Sequence, residues 1–295
     1  MTTPTTAARR VRQRLSTRVA TVASLVIALV WTVPTFGLLI SSIRPEDEIK
    51  SNGWWNFFAR PQFTLDNYQE VLFGTSSQSG QLAGYFINSL VITIPSVLFP
   101  VAFCALAAYA LAWTKFKGRD WVYLAVFALQ IVPLQMSLVP LLRFFNLFGL
   151  EGSGQFAEIW FAHTCFALPL GIFLLHNFMA DLPGEVIEAA RVDGAGHARI
   201  FRQVVLPLII PALASFSIFQ FLWVWNDLLV GLVFASGGSE TRPLTARLAE
   251  MAGTRGNEWQ RLTSGAFVSI VIPLIVFLSL QRYFVRGLLA GSVKG

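Results

Sequence analysis

A segment between residues 181 and 207 carries residue types that suit contact with another protein. Glu188 and Arg191 lie three positions apart, a spacing that pairs opposite charges on one side of a helix. Gly194 and Gly196 end that helix, and a second helix with an apolar face follows. The sequence therefore predicts an amphipathic helical hairpin, which docks on a partner or, as the alternative, rests on the membrane alone. The small side chains that would permit close approach are Ala189 and Ala190.

Histidine and cysteine, which carry much enzymatic and metal chemistry, show no such grouping. Cys104 and Cys165 both lie in apolar stretches, so they offer neither a disulfide framework nor a metal site. His163 and His176 are candidates for a proton relay, although single histidines near helix ends are more often interfacial. The histidines, cysteines and acidic residues show no spacing that would bring them together in one site, so we expect no catalytic residue and no metal site in the chain.

The composition is typical of a membrane protein. Of the 295 residues, 55% are hydrophobic and 13% are charged, against roughly 45–50% and about 25% in ordinary soluble domains. This deficit of charge argues against a soluble enzyme. The formal net charge is +6, and the positions of the basic residues decide what that excess means.

Six runs without acidic or basic side chains are long enough to cross about 30 Å of hydrocarbon as helices. They predict an all-α integral membrane protein with six transmembrane helices. The second run starts with polar residues that we interpret as a loop, so its helix covers roughly Gly84–Trp113. Nine of the 14 prolines lie in or beside these runs and can bend helices around a cavity, as suits a transporter. The runs are Val19–Ile43, Val71–Thr114, Trp121–Leu142, Ile159–Ala180, Gln203–Asn226 and Leu262–Gln281.

The connecting segments predict the orientation. Placing the N-terminus in the cytoplasm puts 14 of the 22 basic residues on the inner side, a bias that favours both termini inside. The positive net charge is then a signal of topology, and little remains to support binding of nucleic acid.

The chain itself shows no source of energy for transport. Neither glycine-rich stretch, 149–154 or 236–239, has the Gly-Lys-Ser/Thr ending that holds nucleotide phosphates. We therefore expect no cofactor bound by this chain. Proton- or ion-driven carriers need an ionisable residue within a span, and the nearest acid, Asp227, lies toward the outer end of the fifth helix.

The hairpin segment resembles the coupling motif of permease subunits from binding-protein-dependent ABC importers. That motif reads Glu-Ala-Ala, three residues, Gly, nine residues, Ile, one residue and Leu-Pro, and here Val204 stands where the family commonly has Ile. Residues 86–90, 225–227 and 281–295 extend the likeness, and the last of these is similar to the tail of the maltose-type second permease subunit of the carbohydrate group.

The resemblance implies a type I ABC importer permease fold whose ATP and Mg²⁺ are bound by a separate ATPase dimer. The hairpin would sit in a cleft of the ATPase, with Glu188 making a charge-assisted contact and Gly194 forming the turn. The other implied partners are a second homologous permease, an extracytoplasmic sugar-binding protein, the sugar and membrane lipid. The implied coupling residues are Glu188, Ala189, Ala190, Asp193, Gly194, Leu206 and Pro207, and the implied tail contacts to the ATPase are Ser292, Val293, Lys294 and Gly295.

A neutral sugar needs hydrogen-bonding side chains and aromatic faces along its path. Hydrogen bonding between helices is the alternative role for each candidate side chain. The candidates within or near the spans are Asn88, Gln130, Gln135, Gln220, Trp223 and Asn226.

The resemblance implies a multi-pass permease of the bacterial inner membrane that imports a disaccharide or oligosaccharide such as an alpha-glucoside. A permease for an amino acid, polyamine or phosphate remains an alternative, as does an ion-coupled secondary carrier. The predicted organisation is a basic cytoplasmic tail (1–21), a first span (22–43), an extracytoplasmic loop (44–82), a permease core (84–284) with the coupling loop (181–207) and an outer loop (235–264), and a cytoplasmic tail (285–295).

Overall fold

The computed structural model describes residues 6–74, 82–149, 156–235, 240–253 and 258–292, and these residues contain helices and no strands. The chain divides into two compact units, residues 1–80 with 254–268 and residues 81–253 with 269–295. The all-α class predicted from the sequence is confirmed.

The first unit is built around one long apolar helix and the connection that follows it. Arg44 is only 2% exposed and donates to three backbone carbonyl oxygens between residues 48 and 53, which fixes this connection. A Cβ added to Gly37 would lie 2.8 Å from Nε1 of Trp54, so the turn that carries Trp54 packs closely on the helix. The elements are α1 (Thr6–Ser42), α2 (Glu46–Ser51), a 3₁₀ turn (Trp54–Phe58) and α3 (Asp66–Phe73).

The second unit holds the remaining helices, except that α14 (Trp259–Ser292) contributes residues to both units. Its elements are α4 (Leu82–Trp113), α5 (Arg119–Leu129), α6 (Leu134–Leu147), α7 (Ala157–Ala180), α8 (Gly184–Val192), α9 (His197–Ile200), a π-helical turn (Phe201–Val205), α10 (Leu206–Leu208), α11 (Ile210–Trp225), α12 (Leu229–Phe234) and α13 (Leu244–Ala252).

Helices α4, α7 and α11 form the core of this unit, and a glycine lets them approach. A Cβ added to Gly171 of α7 would lie 2.4 Å from the ring of Phe216 and 2.5 Å from Sγ of Cys104. Small residues allow such close packing between membrane helices, where lipid gives little hydrophobic drive for association.

Four helices are long and apolar enough to cross a membrane by themselves, at Thr17–Ser42, Leu82–Trp113, Ala157–Ala180 and Trp259–Gln281. They agree within a few residues with four of the six predicted spans. The first helix begins earlier than predicted, because α1 already starts at Thr6 within the predicted tail.

The third and fifth predicted spans are each divided into two helices by a sharp bend. Helices α5 and α6 form a pair bent by 105°, and α11 is bent by 75° from the helical stretch His197–Leu208. In the third span, each amide of residues 130–132 donates to the carbonyl oxygen three residues earlier, instead of four as in an α-helix. Pro133 has no N–H and cannot continue the helix. In the fifth span Ile209 has φ −96° and ψ 5°, and Pro211 lies in the first turn of α11. Six spans result only if each bent pair is counted as one.

Candidate functional site

The segment 181–207 forms a helical hairpin whose first helix ends in a tight turn. Gly194 has φ +78°, in the left-handed region that glycine adopts without strain. Its amide donates to the carbonyl oxygen of Arg191 at 3.0 Å. The amide of Ala195 donates to the carbonyl oxygen of Ala190, also at 3.0 Å. These two bonds form a Schellman motif, which satisfies carbonyl groups at the end of α8.

One face of the hairpin is buried against the core. Ile187 and Val205 are each 0% exposed, and Ile200 lies in the same cluster together with Met179 and Ile209. Burying a side chain of this size contributes about 1.5–3 kcal/mol relative to leaving it exposed. The buried face therefore holds the hairpin on the rest of the unit.

The opposite face carries most of the predicted coupling residues. Glu188, Ala189, Asp193 and Gly194 are exposed, as is Pro207, while Ala190 and Leu206 are partly buried. Two apolar side chains extend this surface, since Val186 is 42% and Val192 87% exposed. An amphipathic pattern assigns apolar side chains to the buried face, so it does not predict these two exposed valines.

Polar contacts join the hairpin to the end of α4. The Tyr109 hydroxyl lies 3.0 Å from Nδ1 of His197 and donates to the carbonyl oxygen of the same residue at 3.3 Å. Nη2 of Arg191 donates to the carbonyl oxygen of Trp113 at 3.0 Å, and the Trp113 indole donates to the carbonyl oxygen of Met179 at 3.1 Å. These bonds tie the hairpin to the end of α4, and the end of α4 to the end of α7.

A cavity of about 770 Å³ lies beside the break between α5 and α6, with α7 and Trp223 of α11 completing its wall. It contains two residues of the predicted substrate path, Gln130 and Trp223. The Gln130 amide donates to the carbonyl oxygen of Pro169 at 3.3 Å. Ser137 and Cys165 also line it and were not predicted, because only the bend brings α6 to this side of α7.

The other predicted path residues do not line this cavity. The side-chain amide of Asn88 donates to the backbone carbonyl oxygen of Arg242 at 3.1 Å. The side-chain amide of Gln220 donates to the backbone carbonyl oxygen of Ser96, also at 3.1 Å. Asn226 donates to the carbonyl oxygen of Leu222 within its own helix, and Gln135 is exposed.

A buried histidine and an aspartate lie close together in the second unit, a proximity that the sequence pattern does not predict. His163 is 1% exposed, and its Nε2 lies 3.8 Å from Oδ2 of Asp227. Asp227 also accepts from the amide of Gly231 at 3.0 Å and so caps α12. Burial raises the pKa of Asp227, and backbone N–H groups of α12 oppose that rise. Tertiary packing therefore encloses His163 within the protein.

Among the described residues, no three histidine, cysteine or acidic side chains group in a way that could hold a metal ion. Of the predicted tail contacts, Ser292 is the last residue of α14, and Val293, Lys294 and Gly295 lie outside the described residues.

Comparisons with known proteins give the family. Residues 101–290 match the family described as the binding-protein-dependent transport system inner membrane component. The osmoprotective compounds uptake permease protein GgtD of Synechocystis sp. is 50% identical, covering 92% of this chain and 91% of its own length. The alpha-glucoside transport system permease protein AglG of Rhizobium meliloti is 40% identical, over 92% of this chain and 95% of its own length.

A solved structure shows the same fold. It is that of a bacterial ABC transporter involved in the import of the acidic polysaccharide alginate, with a TM-score of 0.73 and 20% identity over 96% of this chain and 100% of that chain. The chain therefore belongs to the binding-protein-dependent transport family and is a multi-pass inner-membrane permease of an ABC importer, a transport component rather than an enzyme.

Proposed function

We propose that this chain forms the translocation pathway for a neutral sugar or sugar-like solute together with a second permease, and is coupled to a separate ATPase dimer through the hairpin 181–207. ATP and Mg²⁺ are bound by the ATPase, and an extracytoplasmic binding protein delivers the solute. Both termini and the hairpin face the cytoplasm in this proposal, and residues 292–295 contact the ATPase.

The coupling role is supported by the two different faces of the hairpin, one buried and one exposed. Its apolar face is anchored in the core through Ile187, whereas Glu188 and Ala189 next to it are exposed together with the unpacked side chain of Val192. A hairpin that only needed to cover the core would not require an exposed acidic and apolar surface. An exposed carboxylate beside small side chains suits a basic cleft on a partner.

The substrate class is supported by the relatives and by the cavity. AglG is named for alpha-glucoside transport, and the cavity joins the aromatic faces of Trp223 and Phe144 to a few polar groups, as sites for sugars require. We therefore place alpha-glucosides first among the substrates.

A second candidate class is uncharged osmoprotective solutes, favoured by the 50% identity to GgtD. The two classes are separated by measuring uptake of a labelled alpha-glucoside in cells grown at low and at high external osmolarity. Uptake that needs high osmolarity and is displaced by osmoprotectants favours the second class, whereas osmolarity-independent uptake favours the first.

The coupling role is tested by Glu188→Gln, with Glu185→Gln as the matched control one turn earlier on α8. Both carboxylates are exposed. A hydrogen bond to a charged group contributes about 1.5–3 kcal/mol. We therefore expect binding of the ATPase to the purified permease to weaken about 10- to 150-fold for Glu188→Gln and little for Glu185→Gln. Equal binding by both variants would contradict the role of Glu188.

A further inference from the structure

The short connection between α4 and α5 lies at a membrane surface. Helix α4 ends at Trp113 and α5 begins at Arg119, and both belong to candidate spans. Only five residues join them, so the connection cannot extend far from the bilayer. Arg191 of the hairpin donates to the carbonyl oxygen of Trp113, which places this connection on the hairpin side of the second unit. We refer to residues 114–121 as the basic loop.

The backbone of the basic loop directs a lysine outward. Gly118 has φ 85° and ψ 4°, and the amide of Arg119 donates to the carbonyl oxygen of Phe116 at 3.4 Å. These values are those of a type II turn with glycine at its third position. Lys117 therefore occupies the outer corner of the turn, where its side chain is exposed.

The charges of the basic loop are only partly compensated. Nε of Arg119 lies 3.2 Å from Oδ1 of Asp120. Lys115 and Lys117 are both exposed, and across the described ranges of the chain neither ammonium group lies within ion-pair distance of a carboxylate. The two lysines thus supply an unbalanced positive charge at the membrane surface.

The same residues line an open surface depression of about 600 Å³, to which the two lysines and an aromatic rim contribute. The rim consists of Phe116, 45% exposed, and Trp121, 76% exposed. Exposed aromatic rings at the end of a span are typical of the interface between headgroups and acyl chains. A soluble anion would use the lysines alone, whereas a lipid uses both the lysines and the rings.

We propose that the basic loop binds the headgroup of an anionic phospholipid, with the phosphate between Lys115 and Lys117 and the upper acyl chain against Trp121. The neighbouring Arg119–Asp120 pair borders this site and leaves the lysines as its phosphate ligands. The site does not depend on which solute the permease transports. A basic segment beside a span gains about fivefold in binding to an anionic lipid surface for each lysine.

The test uses the full chain with its partner subunits in detergent, titrated with phosphatidylglycerol and, in a parallel arm, with phosphatidylcholine of the same acyl chains. Native mass spectrometry counts the lipids retained. We expect Lys115→Gln with Lys117→Gln to weaken phosphatidylglycerol binding about 30-fold and to leave phosphatidylcholine unchanged. The control is Lys50→Gln, since the ammonium group of Lys50 is already paired with Glu46 at 2.5 Å.

A charge-preserving variant, Lys115→Arg with Lys117→Arg, keeps the proposal falsifiable if the neutral variant is unstable. It should retain phosphatidylglycerol as the unmodified chain does. Unchanged phosphatidylglycerol binding by a folded glutamine variant, or an equal loss with both lipids, would overturn the proposal. Loss of the ATPase without any loss of phosphatidylglycerol would overturn it as well, and would assign the lysines to a protein contact.

Discussion

Replacing Gly194 with alanine tests whether the left-handed turn of the hairpin couples the permease to its ATPase. The backbone at Gly194 has φ +78°, where an L-residue is strained by about 1–2 kcal/mol. No atom lies within 4 Å of the position that a Cβ would occupy, so the whole cost comes from the backbone. We expect the turn to open about 5- to 30-fold more often in Gly194→Ala, because its free energy of formation rises by that strain.

The same helix offers a control at its opposite end. Gly184 is the first residue of α8, and a Cβ there also meets no atom within 4 Å. Alanine is favoured over glycine in a helix by up to about 1 kcal/mol, so Gly184→Ala should leave the hairpin unchanged or stabilise it. Both variants restrict the unfolded chain in the same way, and the difference between them isolates the strain at Gly194.

Two further substitutions grade the effect. Asparagine tolerates the left-handed region, so Gly194→Asn should lie close to the unmodified chain. Proline fixes φ near −65° and has no amide to donate to Arg191, so Gly194→Pro should prevent the turn and abolish solute uptake while the protein stays in the membrane.

The assay is hydrogen exchange of the amides at positions 194 and 195 in the purified permease–ATPase complex, followed by solute uptake per ATP hydrolysed. Both amides donate to carbonyl oxygens of α8, so their exchange reports opening of the turn. Equal exchange in Gly194→Ala and Gly184→Ala would refute the strain argument. Full uptake by Gly194→Pro would remove the turn from the coupling mechanism.

Three other predictions follow from the packing of the second unit. Gly171→Ala should lower the melting temperature of the detergent-solubilised protein, because overpacking costs about 1–3 kcal/mol, and Phe216→Leu should partly restore it by making room. Asp227→Ala should speed exchange of the amides of residues 229–231 about fivefold through loss of a cap worth about 1 kcal/mol, and Asp227→Asn should not. Cys165 lines the cavity, so it should react with a thiol reagent and be protected by substrate. Cys104 is 0% exposed and should not react. Labelling that persists in Cys165→Ser would contradict this placement.

Local composition was enough to predict four spans, and the first helix of the hairpin with the turn that ends it. A charge-free run of the required length has few stable conformations in lipid other than a helix, so Leu82–Trp113 follows from composition alone. Likewise Gly194, placed just after an apolar and charged helical pattern, predicts a turn whatever the rest of the fold contains.

The prolines predict bending of the helices, but not which of them produces a sharp bend. Pro95 and Pro100 lie inside the continuous helix α4, whereas Pro133 immediately precedes α6, in the 105° bend between α5 and α6. A proline frees a backbone carbonyl group in every case, and neighbouring helices decide whether the helix continues past it. The location of the cavity beside Pro133 could not be predicted for the same reason.

Residue type predicted which side chains form hydrogen bonds, but not with which partner. Gln220 is buried, and its amide is bound to the carbonyl oxygen of Ser96, 124 positions away in the chain. Because Gln220 is only 2% exposed, it must turn out of this packing to reach a solute. If the bond to Ser96 is lost in that movement, a buried carbonyl group left without a donor costs about 1–3 kcal/mol. Trp223, one turn later on α11, already faces the cavity with 37% of its surface exposed and offers an aromatic face without any exchange of partners. Substitution of Trp223 should therefore alter solute affinity more directly than substitution of Gln220, which would first disturb the packing of α11 on α4.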